Sequence, residues 1–569
     1  MSVLKKASLA MVIILLYSCP GPIPETPTFS AKISETGNII HVDNQGQSQF
    51  TFTLDLGQAF YDVYYIFTNP LFYDASYPEV EAPASKAIVS SKSSIEPEPD
   101  TAASVSYEIA LLNQKILSNL QNSPQQSISK SMYPMETIIL ADAVNDTAEF
   151  KDYDNTSLNE ATCRYVSNPE IITPFEEKTL NIWVQNSCWE GAGMKSYEVT
   201  QAMVDYVAEK FLTPGTDNDI YDWVTNIFGE EWSSDHDHSN LITDDTNITI
   251  LLADLMNDDV PTGGVLMGYF YRGNALIPSA EAPESNGRIM FLVDAVMLAY
   301  KEGGTWEGTD FWPQQIISTL AHEFQHMINF YQKGIKYDNS GSEIWLDEML
   351  SLSTEDLVAS KLGIDGPRGV AYNEPTAGFP YNSNGRLPYF IYFPDRPTAS
   401  WGADSKDILD YSHKYAFGAY LMRNFGGAAF VQKVMDNGYT GTQAIEYAVN
   451  QAGKNYSFGQ LLAKWSAAQL LSDSTAAPTD YRYNSGTWFN STLGSISYNL
   501  GSINLYNYIY EGQIGPYYFN NSPVGAMDYP NFPRTSNFIY LAGNSLIGSI
   551  SDSFNLPPGT TLTIVAKQK

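Results

Sequence analysis

The run His322-Glu323-Phe324-Gln325-His326 constrains the fold more tightly than any other stretch of this chain. Two imidazoles four residues apart act together only if the backbone between them is helical, because a 3.6-residue turn stacks positions i and i+4 on one face. The flanking residues support that helix. Thr309 or Asp310 can cap it, Pro313 falls in the first turn, and apolar residues recur at Ile316, Ile317, Leu320, Phe324, Met327 and Ile328 until Gly334, the expected stop. Only six His occur in 569 residues, at 41, 236, 238, 322, 326 and 413, so chance placement of two around a Glu is improbable. The spacing suits two corners of a zinc tetrahedron, with Glu323 placed to act as a general base toward a metal-activated water.

Zinc needs a third protein ligand and a fourth position left open. A third His six residues beyond His326 is absent, since position 332 is Gln and position 329 is Asn. An acidic ligand from a second helix is the remaining option, and Glu343-Ile344-Trp345-Leu346-Asp347-Glu348 supplies one 22 residues past His326. Glu348 is the candidate. Asp347 is expected to point elsewhere, and Glu355, two turns on, is a candidate outer partner for a His.

With these residues in place the chain resembles the hyicolysin family of gluzincin metallopeptidases. The resemblance covers roughly residues 160 to 470. It is carried by Trp223-Val224-Thr225-Asn226-Ile227-Phe228-Gly229-Glu230-Glu231-Trp232, Ile248-Thr249-Ile250-Leu251-Leu252-Ala253-Asp254, Gly263-Gly264-Val265-Leu266-Met267-Gly268-Tyr269-Phe270, Ser285-Asn286, Ile289-Met290-Phe291-Leu292-Val293-Asp294 and Trp345-Leu346-Asp347-Glu348. It implies zinc bound by His322, His326 and Glu348, Glu323 as base, and protein or peptide substrates. It also implies a zincin-like fold in which Ile289 to Val293 is the sheet edge that pairs with a substrate backbone. Met349 departs from the small residue the family commonly shows after its third ligand.

A tetrahedral oxyanion beside the metal needs a donor, usually a Tyr hydroxyl or a His. Tyr411-Ser412-His413-Lys414-Tyr415-Ala416-Phe417-Gly418-Ala419-Tyr420-Leu421 resembles the family's Tyr-rich segment, with His413 or Tyr415 the favoured donor and Tyr411 behind them. His236 and His238, between Asp235 and Asp237, form a second cluster that reads more simply as a polar loop, since nothing nearby completes a ligand set.

At the N-terminus Lys5 and Lys6 precede an apolar run from Ala7 to Tyr17, too short to span a bilayer, ending in Leu16-Tyr17-Ser18-Cys19. This reads as a lipoprotein signal: cleavage before Cys19 and acylation of its thiol tether an exported protein to the cell envelope, facing the periplasm or the outside. Export agrees with the two remaining cysteines, Cys163 and Cys188, which lie in or beside strand-like runs and are candidates for a disulfide. A formal charge of −33 makes nucleic acid and anionic lipid surfaces poor partners, since repulsion is expected. The acidic stretches Asp142 to Asp154 and Asp217 to Asp222 are candidate calcium sites, though neither has the EF-hand pattern and a solvated surface is the simpler reading. Nothing in the sequence fixes the oligomeric state.

The fold class expected is α+β, with a zincin-like catalytic domain between β-rich, sandwich-like modules. The divisions read as signal peptide 1–18, Pro-rich tether 19–30, small β module 31–74, linker with a helix 75–135, zinc metallopeptidase domain 136–473 and C-terminal β domain 474–569. The helix near 104–120 has a propeptide-like position. The function expected is zinc-dependent endopeptidase activity. The alternatives are a surface adhesin that uses the zincin as scaffold, against which an intact Glu323 argues, and a zinc hydrolase of a non-peptide substrate.

Overall fold

The computed structural model describes residues 28–32, 38–43, 49–81, 101–122 and 141–569, apart from positions 155, 169, 245 and 476 and segments 263–265, 338–340, 373–384, 403–406, 484–488 and 520–530. The expected signal, Cys19 and most of the tether lie outside the described residues. Among the described residues, no helix is long and apolar enough to cross a membrane.

Five strands come first: β1 (Thr28–Lys32), β2 (Ile39–Asp43), β3 (Gln49–Asp55), β4 (Tyr61–Asn69) and β5 (Glu79–Glu81), followed by helix α1 (Thr101–Asn122). Next come β6 (Thr147–Lys151), β7 (Ser157–Val166), β8 (Ile171–Ile172) and β9 (Glu177–Gln185). Helices α2 (Gln201–Phe211) and α3 (Ile220–Phe228) lead into β10 (Asn247–Ala253), β11 (Gly268–Tyr269), β12 (Met290–Asp294) and the short α4 (Ala295–Leu298). Next come α5 (Phe311–Asn329), α6 (Ile344–Leu362), α7 (Arg386–Tyr392), α8 (Asp407–Phe425), α9 (Ala428–Met435), α10 (Gly441–Gln451) and α11 (Phe458–Leu470). Short hairpins β13 (Phe489–Leu493) with β14 (Ile496–Leu500) and β15 (Ile509–Tyr510) with β16 (Gln513–Ile514) precede β17 (Ser536–Leu546), β18 (Ser549–Asn555) and β19 (Thr561–Gln568). The mixture is α+β.

The catalytic sheet has the order β11-β12-β10-β9-β7-β6, with β8 beside β9. β10 runs parallel to both β9 and β12. Strands flanked on both faces read as continuous apolar runs, which is why Ile248 to Ala253 and Met290 to Val293 lack alternation. One face packs Ile250, Phe291 and Val293 against Val207 and Phe211 of α2 and Phe324 of α5. The other packs Trp183, Leu251 and Met290 against Phe150, Tyr269 and Ile109 of α1. β12 is not the edge expected from the sequence. The two-residue β11 pairs antiparallel outside it, so Gly268 and Tyr269 hold that position.

Three further expectations change. The small β module and the end of the C-terminal domain are one structure: the sheets β1-β3-β18-β5 and β17-β4-β19-β2 interleave strands from both ends of the chain into a sandwich. β4 lies between β17 and β19, and Tyr64 and Ile66 on its outer face pack against Ala467 and Leu470 of α11. The boundary at 473 also moves, because Tyr483, Tyr498, Leu500 and Leu505 are buried in the catalytic core, where the Tyr498 hydroxyl donates to Trp223 O at 2.7 Å. Finally, Cys163 and Cys188 are free buried thiols. Cys163 belongs to the core cluster on one face of the sheet and Cys188 to that on the other, so a bridge would have to pass through the strands.

Gly334 does not stop the chain at the end of helix α5. The chain winds on through a π-helical turn, Phe330–Lys336, and a Cβ on Gly334 would stand 2.8 Å from a methyl of Leu117 in α1.

Candidate metal centre

Helix α5 turns His322 and His326 to one side, and α6 lays Glu348 against them. Glu348 Oε2 is 3.2 Å from His322 Nε2 and 3.6 Å from His326 Nε2. Donors bound to zinc at tetrahedral angles stand ~3.4 Å apart, given bonds of about 2.0–2.1 Å. The three side chains fit the ion. They are also the one group of three potential ligands within 4.8 Å of one another among the described residues.

Further carboxylates hold the far side of each imidazole. Glu355 Oε1 lies 2.8 Å from His322 Nδ1, and its other oxygen accepts from Ser318 Oγ at 3.0 Å. Asp347, contrary to expectation, turns toward the site: its Oδ1 is 3.0 Å from His326 Nδ1, and its Oδ2 accepts from Arg272 Nη2 at 3.3 Å. A proton kept on Nδ1 leaves the Nε2 lone pair free to coordinate. With Glu323 in the same cavity, four carboxylates surround two imidazoles and one guanidinium, a charge balance that calls for a cation. Burial alone would raise the Glu348 carboxyl, yet His326 and His322 outweigh it and hold it at about 2. Burial lowers His322, and its hydrogen bonds to Glu348 and Glu355 bring it up to about 9. Glu323 is pushed above the usual carboxylate range by burial, against the pull of both His.

Glu323 and Tyr411 line the same small cavity as the three ligands, beside Gly268, Tyr269 and Phe270 of the sheet edge. Tyr411 is the residue of its segment that reaches the site, with its ring centroid 6.4 Å from that of His322 and 4.9 Å from that of Trp401. His413 and Tyr415, the favoured donors from the sequence, do not line it. The His413 ring packs edge-on against Trp465 and Phe390, which stack on each other, and its Nε2 lies 3.3 Å from Pro394 O. Tyr415 is fully buried along α8, one turn past Tyr411. Met349 fits after the third ligand because Gly418 of α8 faces it, where a Cβ would stand 2.9 Å from Met349 Cγ.

Among the cavity residues that sequence reasoning passed over are Arg272 and Asn113. Nothing in their local pattern marks them. His236 is half-buried against Trp232 with Nε2 3.3 Å from Ile242 O, and among the described residues no third ligand joins His236 and His238. The acidic stretches have protein partners: Asp142 with Arg288, Asp217 with Lys361, and Asp219 as the cap of α3.

The family model for Peptidase M30 matches residues 161–503. The chain is also 24% identical over 336 residues to the neutral metalloprotease ShpI of Staphylococcus hyicus, a match covering 58% of this chain and 64% of that protein. The chain therefore spans less than two thirds of that relative's length. The matched stretch contains strands β9, β10, β11 and β12 of that sheet, the helices α5, α6 and α8, and the hairpin β13–β14 that the core encloses, while β6 and the start of β7 precede it. The chain belongs to the peptidase M30 family.

Proposed function

We propose that the protein is a zinc-dependent endopeptidase, exported and held at the cell envelope through lipid on Cys19. The observation that carries the catalytic part is the convergence of His322, His326 and Glu348 on one point, with Glu323 and a sheet edge beside it. Zinc held there would supply Lewis acidity, lowering the pKa of a water toward 7 and polarising a scissile carbonyl. The chain's own residues do the rest. A substrate backbone pairs with the edge at β11. Glu323, its carboxyl raised by burial, takes the proton of the attacking water and passes it to the leaving amine. Tyr411 keeps its hydroxyl proton at neutral pH, since burial and then the Glu348 charge raise its pKa, and it donates to the oxyanion.

The test is Glu323→Gln assayed on denatured casein, with zinc content measured in parallel. Wild type is expected to bind about one zinc and cleave, and the variant to bind zinc without cleaving. A wild type that binds zinc yet cleaves no protein or peptide, even after any covering segment is removed, sinks the peptidase reading. Glu348→Ala is expected to lose zinc. Unchanged metal content would assign the third ligand elsewhere.

A further inference from the structure

Helix α1 is the part of the site that the catalytic reading leaves unused. It precedes the stretch shared with the family, yet Ser106, Ile109, Asn113 and Gln114 form one wall of the metal cavity. The contact at Asn113 is specific. Its Nδ2 donates to Phe270 O at 2.9 Å, and its Oδ1 accepts from Arg272 N at 2.8 Å. Tyr271 between them is extended, with φ −114° and ψ 111°. A carbonyl at one residue and an N–H two residues later are the pair that a residue of an added parallel strand engages. The Asn113 carboxamide therefore gives the run beyond β11 the two bonds that a bound peptide chain would give it. The Asn113 main-chain carbonyl also accepts from Arg272 Nη1 at 3.3 Å.

Apolar anchors hold the helix on either side. Ile109 is buried against one face of the sheet, and Leu117 and Leu120 are buried in the main core. Leu117 seats where a Cβ on Gly341 would stand 2.5 Å from its methyl. With α1 docked, the space left beside the two His is about 50 Å3, far below the ~300–1,000 Å3 of a pocket that takes even a small ligand. A second cavity, of about 690 Å3, shares Gln114 and Ile344 with the first and is also walled by Tyr107 and Leu111, so α1 lies along both.

We propose that α1 is an intramolecular inhibitor seated in the substrate's place, with Asn113 imitating a substrate peptide group, and that the site opens when α1 is displaced. This rests on the peptidase reading above. Two variants of the full chain test it, Asn113→Asp, which keeps the size but removes the donor to Phe270 O, and Ile109→Ser, which weakens an apolar anchor elsewhere on the helix. Melting temperature checks that both fold. A zinc-chelating peptide hydroxamate is the binding probe, and a quenched fluorogenic peptide reports turnover. Both variants are expected to bind the hydroxamate at least tenfold tighter than wild type and to cleave at least tenfold faster, and a synthetic peptide of residues 101–122 is expected to return Asn113→Asp toward the wild-type rate. Equal hydroxamate affinity in all three folded proteins overturns the proposal whatever the turnover. Tighter hydroxamate binding without turnover upholds the inhibitory role of α1 and refutes the peptidase reading instead.

Discussion

Asp410 and Tyr411 are neighbours on α8 that serve different ends. Asp410 accepts from Arg396 Nη2 and Lys414 Nζ, each at 2.6 Å, with all three side chains almost wholly buried. Burial pushes its carboxyl up, but Lys414 and Arg396 outweigh that and hold it below the usual carboxylate range. The folded pKa therefore lies under the unfolded value of about 3.9. Its stabilising contribution is complete above about pH 4 and is lost as pH falls through the folded value. Asp410→Asn removes the buried carboxylate that Arg396 and Lys414 share and is expected to cost about 3–5 kcal/mol. Urea titrations at pH 7 read that cost, and a series down to pH 3 should show a shallower acid loss in the variant. For Tyr411 the readout is catalytic. Tyr411→Phe keeps the ring against Trp401 and removes only the hydroxyl, so kcat on a substrate that gains access is expected to fall about 10²–10³-fold with zinc content unchanged. The outer carboxylate belongs to the same scale: Glu355→Ala frees His322 Nδ1 and is expected to weaken zinc affinity about 10–100-fold, measured by chelator competition.

Elements differ in how much of their orientation a sequence carries. Helix α5 was legible because Asp310 offers a capping residue at its start, beside an apolar stripe and a His pair of fixed spacing, although the Asp310 side chain makes no cap bond. Helices α6 and α8 are buried almost all round, Asp347 to Thr354 without a break on one and Ser412 to Arg423 on the other. No polar face marks their rotation, so nothing local shows that Asp347 turns toward His326 or that Tyr411, rather than His413, meets the cavity. Sheet edges are illegible for a related reason. β11 is only two residues long, and its place outside β12 depends on how closely it can approach. A Cβ on Gly268 would stand 2.9 Å from Leu292 O and 2.8 Å from Thr319 Cγ2 of α5. Backbone and helix both resist that atom, so Gly268→Ala is expected to destabilise by about 1–3 kcal/mol and to raise KM more than it lowers kcat. Unchanged stability and KM would show that the edge shifts freely.

At the scale of the whole molecule, the least legible feature is that the chain's two ends fold together. Alternation along Phe50 to Leu56 and Thr561 to Val565 marks each as a strand. Pairing across about 500 residues leaves no local signature, so each end reads as a module of its own. The physical consequence is mutual dependence. Val63, Tyr65, Ile66 and Phe67 of β4 are all buried between strands from the far end of the chain and α11. At about 1.5–3 kcal/mol for each buried side chain they contribute ~6–12 kcal/mol, comparable to the entire net stability of a domain, about 5–15 kcal/mol. Removing residues 1–81 would expose the inner faces and ladder edges of β17, β18 and β19, which is a recipe for aggregation. The shortened chain is expected to be insoluble, or to melt its sandwich well below the full protein, and co-expression of a separate 28–81 fragment is expected to recover soluble complex. By the same reasoning, a protease site engineered between Lys92 and Ser93 and then cut should leave the N-terminal fragment bound through gel filtration. The cut alone frees α1 at one end only, while the strands before it stay locked into the sheets. A fragment that separates on cutting, or a soluble 82–569 chain with unchanged melting, would mean that β4 contributes far less than its burial implies.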